Sequence, residues 1–446
     1  MNGGWHIRRI FSIPAGNEFG FDDDDALFLI YAPLAGRSLL MTKQESEKFR
    51  QDLSNDSCSG ELAPLTGGKP PSQLPDYHAS YHDFTILYVL LNQRCNFSCT
   101  YCYSAHGRSN RELTFDQLKT MVDFFFSGEC SPEKAKRIIF VGGGEPLLAW
   151  DLLQSGVLYA EQQCARLKKE VAFEIISNTS LFDDEKIDFV SKHGIAVRCS
   201  FDILQHVQES QRGHYEIVAA NLKKLLSAGI RTNVQATITA AALSEMENMV
   251  KEIAAKFPGV ASLTFETVYS ADTFGDRKSV DEYMRKFYFG YLAAEKAAES
   301  AGIRLFSSLF ALRNILRDRY CGGQFALTPE GKLSACLHVS APEEAGYEDM
   351  IIGGIRDGKV EIDEEKCAAF LGATADKREQ CLNCFARWNC GGGCPDAHRI
   401  YPREIFDAIC ESTRWCLKKE LIRQMEKGFY RENRRSLREY LHQTLG

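Results

Sequence analysis

Between residues 84 and 269 the chain alternates short β-rich runs with segments whose apolar residues recur at helical spacing. The six runs lie at residues 84–91, 136–143, 171–178, 195–202, 232–239 and 262–269. Since parallel neighbours need a crossover, six repeats predict a parallel sheet with right-handed connections. The predicted fold class is α/β, with the sheet either open or curved into a partial (β/α)6 barrel. Such sheets bind their ligands at the carboxyl ends of the strands.

Composition limits the location and the partners of the chain. Its 446 residues include 44% hydrophobic and 25% charged residues, which is typical of globular proteins. No apolar run is long enough to span a bilayer, and the amino end lacks the features of a secretory signal, so we expect a cytoplasmic protein without membrane partners. A net charge of -7 gives no general reason to bind nucleic acid.

The chain divides by pattern into five predicted regions. Residues 1–58 hold a β-hairpin over residues 26–42 and a following helix, and residues 59–82, rich in Gly, Pro and Ser, are a predicted linker. The barrel is expected at residues 83–310. A small, irregular, Cys-rich domain held by metal is expected at residues 311–416. Residues 417–446 are a predicted basic, exposed helix; its arginines are Arg431, Arg434, Arg435 and Arg438.

Three cysteines, Cys95, Cys99 and Cys102, follow the first predicted strand with the spacing C-x3-C-x2-C. A structural zinc site normally has four ligands, and no fourth Cys or His stands here at a usual spacing, although His106 lies four residues further on. Three thiolates on a four-iron cluster leave one iron open to a small molecule. The segment GGGEP of residues 142–146 follows the second strand.

This loop resembles the signature of the radical S-adenosylmethionine (radical SAM) enzymes. The resemblance implies S-adenosylmethionine bound to the open iron of a [4Fe-4S] cluster and cleaved to a 5'-deoxyadenosyl radical. It also implies cofactor contacts at Tyr101, Gly143, Gly144, Glu145, Ser177, Asn178, Ser200 and Arg212. Tyr101 would pack near the adenine and Glu145 would pair with the ammonium group. Ile203 departs from the family pattern, because a glycine often follows the aspartate of that strand.

Seven further cysteines lie toward the carboxyl end, and a zinc ribbon is the structural alternative for them. Their arrangement is similar to the SPASM domain, which carries two auxiliary [4Fe-4S] clusters. The resemblance implies one cluster on Cys381, Cys384, Cys390 and Cys410, and another on Cys321, Cys336 and Cys394. The second set lacks a fourth ligand, since Ile315 stands where some relatives have Cys. The alternatives for the fourth ligand are Cys367, Cys416 or none from the protein. In the last case a substrate thiolate would bind the open iron.

The combined resemblance implies an enzyme that modifies a ribosomally made precursor peptide, installing a thioether or a carbon-carbon cross-link. A flavodoxin or ferredoxin is the expected electron donor. The amino-terminal unit either binds the leader of the precursor by strand addition or is a structural cap. The catalytic base is not assigned; Asp202, Glu266 and Tyr269 are candidates for deprotonation or electron return.

Two alternative functions remain. An anaerobic sulfatase-maturing enzyme would oxidise Cys or Ser to formylglycine, but such enzymes commonly place an acidic base directly after the cysteine that corresponds to Cys336. Here Leu337 and then His338 follow that cysteine. A non-catalytic iron-sulfur or zinc protein would form no 5'-deoxyadenosine.

Overall fold

A computed structural model describes residues 10–55, 62–67, 80–127 and 135–445. The predicted linker at residues 59–82 lies largely outside these ranges, apart from a helical turn at Ala63–Thr66 and another at Tyr81–Asp83. Cys58 and Cys130 also lie outside them. Within the described part of the chain, no helix has both the length and the apolar content that a membrane crossing needs.

The amino-terminal unit is a three-stranded antiparallel sheet with one helix of 12 residues and a short helical turn at Gly16–Phe19. Its strands are β1 (Phe11–Pro14), β2 (Leu27–Ala32) and β3 (Arg37–Thr42), in that spatial order, and α1 (Lys43–Ser54) follows them. The hairpin and the helix agree with the sequence analysis, whereas β1 was not predicted. Thr42 and Glu45 form a capping box that starts α1.

Six parallel strands form the centre of the molecule and are adjacent in sequence order. They are β4 (Ile86–Leu90), β5 (Lys136–Val141), β6 (Val171–Ser177), β7 (Ala196–Ser200), β8 (Thr232–Ile238) and β9 (Ser262–Thr267). The intervening helices are α2 (Phe115–Phe126), α3 (Trp150–Leu167), α4 (Asp184–Lys192), α5 (Gln205–Gln211), α6 (Tyr215–Ser227) and α7 (Met246–Lys256). α8 (Arg277–Ala301) then leads to β10 (Leu305–Phe306), parallel to β9. This confirms the predicted α/β fold.

The Cys-rich region continues the same sheet beyond β4. β11 (Phe325–Leu327) pairs with β4 in parallel, and β12 (Lys332–Ser334), β13 (Ile351–Arg356) and β14 (Lys359–Ile362) extend it as an antiparallel meander, making eleven strands. α9 (Glu364–Leu371) packs beside them. We expected an irregular domain held mainly by metal. Instead, Phe325, Leu333 and Ile352 are fully buried in one core with the barrel strands.

The carboxyl-terminal helix differs from the prediction in its start and its burial. α10 (Arg403–Asn433) begins well before residue 417, and a second helix, α11 (Leu437–Leu445), follows it. Leu417, Leu421 and Ile422 are buried against Leu29 of the amino-terminal sheet. The four arginines of the predicted basic face are exposed. The helix therefore joins the two ends of the chain through one apolar face.

Candidate functional site

A cavity of about 470 Å³ lies at the carboxyl ends of the barrel strands. Every cofactor contact and every cysteine of the first cluster that the sequence predicted lines it: Cys95, Cys99, Cys102, Tyr101, Gly143, Gly144, Glu145, Ser177, Asn178, Ser200 and Arg212. These residues lie at the carboxyl ends of β4, β5, β6 and β7 or in the segments that follow them, so the parallel sheet brings them to one edge. The Cys-rich region contributes Leu337 and His338 to the same wall.

The cysteine loop begins after β4 and is tied to the end of α5, because Thr100 N donates to Gln211 O at 2.9 Å. All three of its thiols are half-buried. Arg108 Nη2 donates to Cys102 Sγ at 3.3 Å, and Phe97 N donates to Cys95 Sγ at 3.5 Å. Hydrogen bonds from a cation and an amide suit sulfurs that carry negative charge. Arg108 was not predicted from the sequence. His106 is exposed and lies outside the cavity lining.

The glycines of the GGGEP segment allow two backbone segments to meet. A Cβ on Gly143 would lie 1.9 Å from Gln93 Oε1, and a Cβ on Gly144 would lie 1.7 Å from Arg94 O. Glu145 N donates to Arg94 O at 2.7 Å. These glycines therefore fix the turn after β5 against the start of the cysteine loop. The close approach of these two protein segments explains why glycine is needed at positions 143 and 144. The sequence analysis did not predict this reason.

Glu145 is buried at the base of the cavity, with 2% of its surface exposed. Its carboxylate accepts hydrogen bonds from Ser177 Oγ at 2.6 Å and from Asn178 N at 2.9 Å. Burial raises the pKa of this carboxyl group, and the bonds from Ser177 and Asn178 oppose that shift. Glu145 thus joins the turn after β5 to the turn after β6.

A buried chain of polar groups links the cysteine loop to α5. Arg212 Nη1 donates to Tyr101 OH at 2.9 Å, and Tyr101 OH contacts both oxygens of Asp202, at 2.8 and 2.9 Å. Burial opposes the charge on Arg212, but Tyr101, Cys99 and Asp202 together raise its pKa. Arg212 Nε has no hydrogen-bond partner within the described residues. Arg212 also lines the cavity, so its cationic side chain is placed beside the space where an anion could bind.

The candidates for deprotonation or electron return occupy different positions. Glu266 and Tyr269 line the cavity, whereas Asp202 lies beneath Tyr101. Glu266 accepts a hydrogen bond from Ser308 Oγ at 2.5 Å, and burial raises its pKa. Tyr269 OH donates to Asp396 Oδ2 at 2.6 Å.

The four cysteines of one predicted auxiliary set, Cys381, Cys384, Cys390 and Cys410, line a cavity of about 280 Å³. Burial raises the pKa of Cys390 to about 11 and that of Cys410 to about 12. Such thiols stay protonated near neutral pH unless a cation stabilises the thiolate. Four convergent thiols fit a metal or iron-sulfur centre.

The other predicted set is Cys321, Cys336 and Cys394, and sequence neighbours of the first two, Tyr320 and Leu337, line the large cavity. Burial raises the pKa of Cys336 well above its usual value, and Asp396 and Cys394 contribute to the same shift. The two thiols considered as a fourth ligand lie elsewhere. Cys367 is buried in the barrel core and Cys416 in the core between α8 and α10. Cys416 interacts electrostatically with Glu420, Arg285 and Asp281, not with this set.

Comparison with known proteins agrees with this site. The model of the radical SAM superfamily matches residues 89–256. The serine-type anaerobic sulfatase-maturating enzyme of Klebsiella aerogenes is 21% identical over 333 residues, which cover 70% of this chain and 80% of that enzyme. Native anSMEcpe with bound AdoMet has a TM-score of 0.57 and 15% identity, covering 75% of this chain and 98% of its own. Streptococcus suis SuiB bound to precursor peptide SuiA has a TM-score of 0.53 and 11% identity, covering 87% of this chain and 94% of its own.

The fold and the matched segment define an enzyme class. The chain contains a radical SAM domain and is a radical SAM enzyme, with the fold of anSMEcpe and SuiB over most of its length. The resemblance found in the cysteine loop and the Cys-rich carboxyl region is confirmed. The superfamily implies S-adenosylmethionine and one [4Fe-4S] cluster as cofactors.

Proposed function

We propose that this protein is a radical SAM peptide maturase. It forms a 5'-deoxyadenosyl radical by reductive cleavage of S-adenosylmethionine and installs a thioether or a carbon-carbon cross-link in a ribosomally made precursor peptide. The observation that carries this choice of substrate is the amino-terminal unit, whose sheet edge and apolar groove suit an extended peptide. The protein would bind and orient both reactants, while the bound cofactors supply the radical chemistry.

The cavity residues have distinct proposed roles toward the cofactors. Cys95, Cys99 and Cys102 hold the first [4Fe-4S] cluster, and Arg108 donates to one of its sulfur ligands. The buried carboxylate of Glu145 receives the ammonium group of S-adenosylmethionine, and the guanidinium group of Arg212 receives its carboxylate. The remaining proposed contacts are Tyr101, Gly143, Gly144, Ser177, Asn178 and Ser200.

Two auxiliary [4Fe-4S] clusters are proposed for the Cys-rich region. One is held by Cys381, Cys384, Cys390 and Cys410, which surround a single cavity with Arg387 and Arg414. The other is held by Cys321, Cys336 and Cys394 beside the cofactor cavity. The guanidinium groups of Arg387 and Arg414 would offset the negative charge of a thiolate-bound cluster in that cavity. A flavodoxin or ferredoxin is the proposed electron donor.

The amino-terminal unit supports leader binding over a purely structural role. Strand β1 pairs only with β2 among the described residues, so its other edge carries backbone groups that a peptide strand can use. A groove of about 350 Å³ runs between β1 and α1, and its lining is mostly apolar: Ile10, Phe11, Ser12, Ile30, Phe49, Arg50, Leu53 and Ser54. An extended leader would add a strand to β1 and place its apolar side chains in this groove.

Sulfatase maturation is the second candidate function. The similarity to the Klebsiella aerogenes enzyme and the fold shared with anSMEcpe favour it. Against it stands Leu337, which lines the cavity directly after Cys336 and cannot accept a proton. The matches also differ in coverage, since SuiB covers 87% of this chain and anSMEcpe covers 75%.

Filling the groove tests the maturase proposal. The Ser54→Trp variant places an indole in the groove, and we expect at least ten-fold slower modification of the precursor peptide. Formation of 5'-deoxyadenosine without peptide should not change, because the groove is separate from the cofactor cavity. Mass spectrometry would report the loss of two hydrogens per cross-link.

Ser300→Trp is the matched control. Ser300 is also exposed near the end of a helix, and both serines donate to the carbonyl four residues earlier at 2.9 Å. If the Ser54→Trp variant modified the precursor peptide as fast as the enzyme without a substitution, leader binding in the groove would be contradicted. A hydrazide-reactive aldehyde in a sulfatase-type peptide, with no cross-linking of the precursor, would establish the second candidate function.

A further inference from the structure

The set Cys321, Cys336 and Cys394 has three thiols, and the structure places a carboxylate beside them. Asp396 follows Cys394 by two residues, and only 3% of its surface is exposed. Ligand atoms of Cys336, His338 and Asp396 all lie within 4.8 Å of one another. A carboxylate oxygen of Asp396 therefore lies close to the sulfur of Cys336, which is a proposed cluster ligand.

The buried carboxylate of Asp396 forms no ion pair among the residues that the structure describes; Arg399, three residues further on, pairs with Asp349 instead. Asp396 Oδ1 also has no hydrogen-bond partner there. An ionised carboxylate buried without a neighbouring cation is costly, and nearby thiolates would increase that cost. A bound metal centre would supply the missing positive charge.

Tyr269 fixes the orientation of this carboxylate. Its hydroxyl donates to Asp396 Oδ2 at 2.6 Å, which leaves Oδ1 as the free oxygen. Carboxylates that bind metals are commonly held in this way by a hydrogen bond to their second oxygen. Tyr269 also lines the cofactor cavity, so it lies between that cavity and the cysteine set.

His338 is the competing donor, and its position favours a different role. Its ring contacts those of Tyr103 and Tyr269 in tilted arrangements, with centroid distances of 4.3 and 5.0 Å, and it lines the cofactor cavity. Asp396 is more deeply buried than His338. The hydrogen bond from Tyr269 to Asp396 Oδ2 also fixes the orientation of the carboxylate.

We propose that Asp396 Oδ1 is the fourth protein ligand of the iron-sulfur cluster held by Cys321, Cys336 and Cys394. This inference rests on the proposed auxiliary clusters and replaces the open-iron alternative. The cluster would then have three sulfur ligands and one oxygen ligand. An oxygen ligand gives its iron a Mössbauer doublet distinct from that of thiolate-bound iron, so the assignment can be tested without measuring activity.

The experiment uses full-length protein enriched in 57Fe that also carries Cys95→Ala, Cys99→Ala and Cys102→Ala, so that only auxiliary iron remains. We expect about eight irons per chain, with roughly one in eight in a separate doublet. Asp396→Cys should keep the iron and convert that doublet to the thiolate type. Asp396→Asn should remove the doublet or release the cluster's iron. His338→Gln should leave both the doublet and the iron content unchanged.

Each other outcome identifies which proposal fails. A doublet that persists in both Asp396 variants, or that is missing in the parent despite eight irons, overturns the Asp396 assignment alone. Loss of the doublet in His338→Gln but not in Asp396→Asn transfers the ligand role to His338 and also overturns it. An iron content close to zero in the parent overturns the auxiliary clusters and the assignment together.

Discussion

Replacing Cys95, Cys99 and Cys102 together by alanine is expected to abolish the formation of 5'-deoxyadenosine from S-adenosylmethionine and to remove about four irons per chain. All three thiols line the cofactor cavity, and no other cysteine of the described chain does so. In the proposed assignment these thiolates hold the first cluster, so their removal would leave the reductive cleavage without an electron source. Liquid chromatography of reactions with dithionite and elemental analysis measure the two effects.

The matched control is Cys164→Ala, which removes a buried thiol in the barrel core. It should retain both the iron and the activity, at a modest cost in stability. Circular dichroism would show that the triple variant keeps its fold, because the loop is also held by the backbone bond from Thr100 to Gln211. Unchanged 5'-deoxyadenosine formation in the triple variant would contradict the role of the loop.

Asp202→Ala is expected to lower the free energy of unfolding by about 3–5 kcal/mol. Asp202 is fully buried, and its carboxylate accepts from Tyr101, which in turn accepts from Arg212. The substitution leaves the buried guanidinium group without the carboxylate that balances its charge. Urea unfolding of the anaerobic holoenzyme without S-adenosylmethionine measures the change.

An exposed ion pair provides the comparison for Asp202. Asp281 accepts from Arg285 Nε at 2.7 Å, with side chains 50% and 46% exposed. Asp281→Ala should cost less than about 1 kcal/mol, since water screens such pairs. Similar losses in the two variants would mean that the Tyr101 chain contributes no special stability to the site.

Local patterns predicted most of the central fold. The six barrel strands appear at the predicted places because each combines a β-rich run with a following amphipathic helix. Strand β1 has only four residues and ends in Pro14, so its hydrophobic pattern was too short to predict a strand. The pairing of β11 with β4 joins segments more than two hundred residues apart, and such pairing leaves no local pattern.

The candidate site was predicted where motifs carry it and missed where tertiary contacts do. The cysteine spacing and the GGGEP segment indicated the residues that line the cavity. The clash that a Cβ on Gly144 would make with Arg94 could not be predicted from the sequence, because it depends on how two loops pack. Asp396 was missed for the same reason: a lone aspartate gives no signal until burial and the contact with Tyr269 are known.

Iron, sulfide and zinc counted per chain in anaerobically prepared protein test the central claim most directly. The proposed three-cluster enzyme predicts about twelve irons, a matching amount of sulfide and no zinc. About four irons, with zinc making up the remainder, would contradict it, since the Cys-rich region would then be a structural zinc unit attached to a radical SAM domain.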